Sequence, residues 1–196
     1  MKLQTIVPLH SAKERIDYDS TLFLIGSCFV ENIGRKFQYY QFQTLQNPIG
    51  ILFHPKAIEN FIGRSIEQKI FKASDVFSFN ERWHCFDAHS DLSDPSKELL
   101  LGNLNSALLK TRDRLENATH IIITLGTAWV YKNVETKKPV ANCHKLPQKK
   151  FTKELLSKEE IEESLKRISA NIRKINENAS VIFTISPVRH LKDGFV

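Results

Sequence analysis

Cysteine is scarce in this chain of 196 residues: Cys28, Cys85 and Cys143 are the only three, and they lie far apart. That is too few for a disulfide framework. No Cys-x-x-Cys occurs, so a zinc site lacks its usual spacing, and no metal or cofactor is expected. No apolar run approaches the roughly 20 residues that a membrane span needs, so no membrane partner is expected. The N-terminus, Met1-Lys-Leu-Gln-Thr-Ile-Val-Pro-Leu-His10, has neither a long apolar signal core nor a small-residue cleavage site. That argues for the cytoplasm. Internal repeats, low-complexity tracts and obvious linkers are missing too. The net charge of +6 is not concentrated in one place. Its densest patches are Lys137-Lys138 and Lys149-Lys150, with Lys145 and Lys153 nearby. A basic surface can attract nucleic acid, but no nucleic-acid-binding motif accompanies these lysines. They read as a solvated loop and helix face.

What is present is an ordinary globular composition, 41% hydrophobic and 26% charged. The length suits one sizeable core and is marginal for two, so residues 1–196 read as a single domain. The most informative stretch runs from Leu22 to Gly34. An apolar run ends at Gly26, two potential nucleophiles follow at once, Ser27 and Cys28, and a helical pattern begins. In an open parallel sheet, ligands bind outside the carboxyl ends of the strands. A hydroxyl or thiol at a strand-to-helix turn therefore sits on that rim, near unpaired helix N–H groups that favour anions.

The rest of the chain alternates strand-like and helical patterns. Thr21–Ile25 reads as a buried strand, with a helix from about Phe29 to Tyr39. Pro55 suits a first helical position, and Ala57, Ile58, Phe61, Ile62 and Ile66 follow on one face. Asp94-Pro95 opens another helix, with Leu101, Leu104, Leu108 and Leu115 as its buried stripe. His120–Leu125 is a β-branched strand ending at Gly126. Ser157-Lys-Glu-Glu160 resembles a capping box, and Ile161, Leu165, Ile168, Ile172 and Ile175 continue at three-four spacing. Val181–Ile185 is a third buried strand, followed by Ser186-Pro187. This rhythm predicts an α/β fold with a parallel sheet covered by helices on both faces. Val76–His89 and Ala128–Lys145 interrupt it and read as β-hairpins or long loops. Insertions on the carboxyl rim commonly carry substrate contacts.

Gly26-Ser-Cys-Phe29 reproduces the signature of the GSCFA domain family. Asn47-Pro-Ile-Gly50, Leu125-Gly-Thr-Ala-Trp-Val-Tyr131, Asn142-Cys-His144 and Ser186-Pro-Val-Arg-His-Leu-Lys-Asp-Gly194 extend the resemblance in order across nearly the whole chain. That family is grouped with the SGNH, or GDSL-like, hydrolases. The resemblance implies a flavodoxin-like three-layer α/β/α fold. It also implies ester hydrolysis or acyl transfer on a small-molecule or carbohydrate ester substrate. The alternative is a non-catalytic ligand- or carbohydrate-binding module on the same scaffold.

The departures from the SGNH pattern carry as much information. The serine of that pattern stands two residues after the first-block glycine, a place held here by Cys28, while Ser27 occupies that of the usual aspartate. Ser27 and Cys28 are thus rival nucleophiles; a thiol near a helix N-terminus can have a lowered pKa. Gly50 resembles the second-block glycine, whose N–H donates to an oxyanion. Around Gly126 the third-block asparagine is replaced by Ala128, leaving Thr127 or Asn142 as candidate substitutes. No Asp-x-x-His occurs in the chain, although the family carries one late in its sequence. The expectation is a domain lacking its last strand, closing helix and base, with an apolar sheet edge exposed and little activity alone. His144, His190 and His89 are candidates to contact substrate or act as a base. His54 and His84 read as structural, and His10 and His120 have no distinguishing context.

Overall fold

The computed structural model describes residues 12–185. In chain order, β1 (Thr21–Gly26) leads into α1 (Cys28–Tyr39) and β2 (Gln43–Gln46). Then come α2 (Pro55–Ile66), the hairpin β3 (Val76–Phe79) and β4 (Arg82–Cys85), and α3 (Lys97–Asn117). β5 (His120–Leu125) is followed by three short strands, β6 (Trp129–Asn133), β7 (Pro139–Val140) and β8 (Phe151–Leu155), and the described chain closes with α4 (Lys158–Ile175) and β9 (Ser180–Ile185).

The central sheet is parallel throughout, with spatial order β2-β1-β5-β9. Counting only its own strands, that is 2-1-3-4, the order of a doubly wound flavodoxin-like sheet. β1 and β5 are buried on both faces, which is why they read as unbroken apolar runs. Side chains alternate across the pleat. Phe23, Ile25, Ile121 and Ile123 face one layer of helices, α2, α3 and α4. Leu22, Leu24 and Ile122 face the other way, onto Val30, Ile33 and Phe37 of α1. Helices therefore flank both faces and give the expected three layers. α1 approaches the sheet closely because Gly34 lacks a side chain: a Cβ there would lie 1.6 Å from Oε1 of Gln46.

Helix ends follow local chemistry. His54 caps α2, with Pro55 at its start, and Ser157 and Glu160 form the capping box of α4. α3 begins later than Asp94-Pro95 suggests. Asp94 is held in a bridge to Trp83, and its carboxylate accepts the Ser96 N–H; Ser96 is the cap. The buried stripe of α3 accordingly starts at Leu100, with Leu101 flanking it. β9 is the last strand on its side of the sheet among the described residues, and its Ile185 is 74% exposed.

Both interruptions of the βα rhythm form antiparallel structure. Val76–His89 contains the β3–β4 hairpin. The second is longer than its sequence pattern suggests: β7, β6 and β8 make a three-stranded sheet that runs on to Leu155. The two pieces are joined into one cap. Ala141 donates its N–H to the Phe86 carbonyl at 2.7 Å, and His144 Nε2 donates to the Cys85 carbonyl at 2.7 Å. Phe77, His84, Phe86, His144 and Phe151 pack ring against ring between them. Among the described residues no helix is long and apolar enough to cross a membrane.

Candidate functional site

The carboxyl end of β1 is built by backbone geometry that only particular residues permit. Gly26 has φ of +141°, and a Cβ there would lie 2.1 Å from the Thr124 carbonyl oxygen. That oxygen in turn accepts the Ser27 N–H at 3.1 Å. Asn47 pins the turn from the neighbouring strand. Its Oδ1 accepts the Gly26 N–H at 2.9 Å, while its Nδ2 donates to Glu31 Oε1 in α1 at 2.7 Å. One side chain thus ties together the end of β1, the turn after β2 and the first turns of α1.

Ser27 is the N-cap of α1, but its hydroxyl makes no capping bond. It is only 4% exposed, whereas Cys28, the first residue of the helix, is open to solvent. Gly126, at the end of β5, lies against Ser27: a Cβ on Gly126 would sit 2.9 Å from the Ser27 Cβ and 3.1 Å from the Phe53 ring. Ser27, Cys28, Gly126 and Thr127 therefore share the carboxyl rim of the sheet.

A cavity of about 480 Å³ opens beside Gly126, between the rim and the cap. Phe53 and His54 form one side. Trp129, Tyr131, Val140, Leu146 and Phe151 form much of the rest. Trp129 and Tyr131 stand two residues apart on β6, opposite Leu155 and Lys153 of β8. The period of a strand puts them on the same face. The sequence places both in the Ala128–Lys145 interruption, but the partner strand β8 that completes the wall lies beyond it.

The donors suggested by the SGNH pattern are already engaged. The Gly50 N–H bonds the Asn47 carbonyl at 2.8 Å. The N–H groups of Gly126 and Thr127 both bond the Phe53 carbonyl, at 2.8 and 3.1 Å. Thr127 Oγ1 accepts from the Trp129 N–H. Gly50 has φ of +78° and no room for a Cβ against His89, so its conformation and its close approach both require glycine. Asn142 lines the cavity, with its Oδ1 accepting from the His144 N–H and the Ser90 hydroxyl.

The histidines separate by environment. His144 lies inside the cap and is not among the residues lining the cavity. Its Nε2 donates to the Cys85 carbonyl, and burial, aided by nearby His84 and His89, lowers its pKa to about 4. It is therefore neutral at physiological pH. His54 accepts the Ala57 N–H at Nδ1, so the proton sits on Nε2 and is donated to the Val140 carbonyl. Burial lowers its pKa as well. His89 packs against Gly50, and its Nδ1 accepts the Asp91 N–H. His190 and Ser186-Pro187 lie outside the described residues. Burial also raises the thiol pKa of Cys85 to about 12 and that of Cys143 to about 11, leaving both almost wholly protonated. Among the described residues no group of histidines, cysteines and carboxylates is placed to hold a metal ion.

The fold and the rim define a class: a three-layer α/β protein whose first strand presents a Gly-Ser-Cys turn beneath a cap. The GSCFA family model matches residues 21–196, and the chain belongs to the GSCFA family. No curated protein and no solved structure matches it.

Proposed function

We propose that this protein is an SGNH-like hydrolase or acyltransferase acting on an ester, with the Ser27–Cys28 turn supplying the attacking group. One observation carries the reading: an uncapped serine and an exposed cysteine occupy the carboxyl end of β1, against Gly126 at the mouth of the cavity. In the reaction the oxygen or sulfur bonds the ester carbonyl carbon and the alcohol leaves with the nucleophile's proton. Water or an acceptor hydroxyl then takes the acyl group and restores the turn. Ser27 is the candidate that touches the cavity wall, and Cys28 the one that solvent reaches. Among the described residues no histidine or carboxylate is bonded to either. His190, shortly beyond the end of β9 in sequence, is the candidate base in place of the absent Asp-x-x-His, and on that footing the chain itself should turn over esters. Three free thiols support a cytoplasmic setting.

One observation favours a binding module instead: the N–H groups of Gly50, Gly126 and Thr127 are all bonded within the fold, so none stands ready for an oxyanion. Turnover of p-nitrophenyl esters separates the two readings. The hydrolase reading predicts that Ser27→Ala or Cys28→Ala lowers kcat/KM by at least about 1,000-fold, the usual cost of losing a nucleophile. Equal turnover by both single variants and by the double variant, or no turnover above background in any form, leaves the binding module.

A further inference from the structure

We infer that the cavity beside Gly126 is an acyl-chain site: it takes an apolar chain, not a sugar ring. This deepens the hydrolase reading, and its placement beside the attacking turn rests on that reading.

Those walls are apolar, with Phe53, Trp129, Tyr131, Val140, Leu146 and Phe151 contributing rings and branched chains. Asn142, Cys143, Gln148, Lys153 and the Tyr131 hydroxyl also border the space, but several of its other polar groups are already engaged. Both ring nitrogens of His54 are bonded within the protein, one to the Ala57 N–H and the other to the Val140 carbonyl. The backbone N–H groups of Gly126 and Thr127 are held by Phe53, and the Thr127 hydroxyl already accepts from Trp129. Asn142 Oδ1 already accepts two bonds. A sugar ring would press several hydroxyls against the Phe53, Val140, Leu146 and Phe151 surfaces, which offer them no partner. Burying a hydroxyl without a hydrogen bond is unfavourable. An alkyl chain needs no partners and gains from every methylene removed from water.

Gly126 is both a wall of the cavity and the residue that Ser27 packs against. A chain lying in the cavity with its carbonyl end at Gly126 brings that carbonyl to the Ser27–Cys28 turn. The volume, about 480 Å³, is within the range of small-molecule sites and suits a chain of medium length.

The test is calorimetric titration of the intact protein with hexanoate, octanoate and decanoate, each below its micellar concentration, and with methyl glucoside as the sugar probe. The proposal predicts binding that tightens roughly fourfold per added methylene, and no binding of the glucoside. Leu146→Trp, which fills the cavity, and Leu146→Asp, which charges its wall, should each weaken decanoate at least tenfold, with melting curves showing that both fold. If neither variant folds, a second readout remains. Trp83→Phe leaves Trp129 as the single tryptophan of the two in the chain. Decanoate should then shift its emission. Absence of a chain-length trend, tighter binding of the glucoside, unchanged affinity in folded Leu146 variants, or unmoved Trp129 emission each overturns the proposal. The two readings fail separately. Protein that binds decanoate but shows no Ser27- or Cys28-dependent turnover keeps the site and loses the hydrolase. Protein that turns over esters but ignores decanoate does the reverse.

Discussion

Gly26→Ala is expected to destabilise the protein by about 3 kcal/mol or more, near the upper end of single substitutions. Two effects combine. The residue has φ of +141°, a conformation that L side chains rarely adopt, and strain of this kind costs about 1–3 kcal/mol. The new Cβ would also fall 2.1 Å from the Thr124 carbonyl oxygen, far inside contact distance. That oxygen cannot step aside, because it belongs to the central strand β5 and holds the Ser27 N–H. Gly102→Ala is the matched control. Gly102 lies in the exposed outer face of α3, and a Cβ there meets nothing within 4 Å. Alanine at such a helical position should stabilise by about 0.5–1 kcal/mol. Urea unfolding of both variants measures the contrast. A Gly26→Ala protein as stable as its parent would mean that the turn after β1 is not built as described.

Acidification from pH 7 to about pH 4.5 is expected to remove about 2 kcal/mol of stability through His144 alone. The sign follows from burial. The folded pKa is lowered from 6.5 to about 4, so between those values the unfolded chain binds a proton that the folded protein refuses. Stability from this source is complete above pH 6.5 and is lost as pH falls toward 4. His54, also lowered by burial, adds in the same direction. Asp87 opposes both, because burial raises its carboxyl pKa and the folded state then binds the extra proton. The informative quantity is therefore a difference. His144→Gln, whose amide can still donate to the Cys85 carbonyl, should show a flatter dependence of urea midpoint on pH than the parent. Parallel curves for the two proteins would remove His144 from the account.

Much of the frame was legible because the buried strands announce themselves. Thr21–Gly26 and His120–Leu125 are apolar runs of strand length ending at the rim, and α2 and α4 between the strands carry clear three-four periodicity. Ser180–Ile185 has the same apolar pattern and is a strand, but it is not buried as its sequence suggests: among the described residues it has a neighbour on one side only, which leaves Ile182 and Ile185 exposed. β2 was not legible: Gln-Thr-Leu-Gln has one apolar residue, enough for an edge strand whose pairing comes from β1. β8 was hidden for a similar reason, since Phe151 is its one buried side chain and the rest of the strand is exposed. The rim turn could be located because strand ends in a parallel sheet share a side. The cavity above it could not, because its walls come from residues between Phe53 and Lys153, brought together by the bonds of Gly126 and Thr127 to Phe53 and of His54 to Val140. Nor does any spacing reveal that the N–H groups of Gly50, Gly126 and Thr127 are taken up inside the fold. Asn47, the side chain that ties the rim together, stood in plain view within Asn47-Pro-Ile-Gly50, but its role depends on partners 16 and 21 residues away.

The most direct measurement is reaction with an alkyl fluorophosphonate followed by peptide mass spectrometry. The electrophile requires an activated hydroxyl or thiol, and its alkyl chain matches the apolar cavity. The account predicts one covalent phosphonate, on Ser27 or Cys28, absent from the Ser27→Ala/Cys28→Ala double variant. No adduct, or an adduct on any other residue that persists in the double variant, would contradict it.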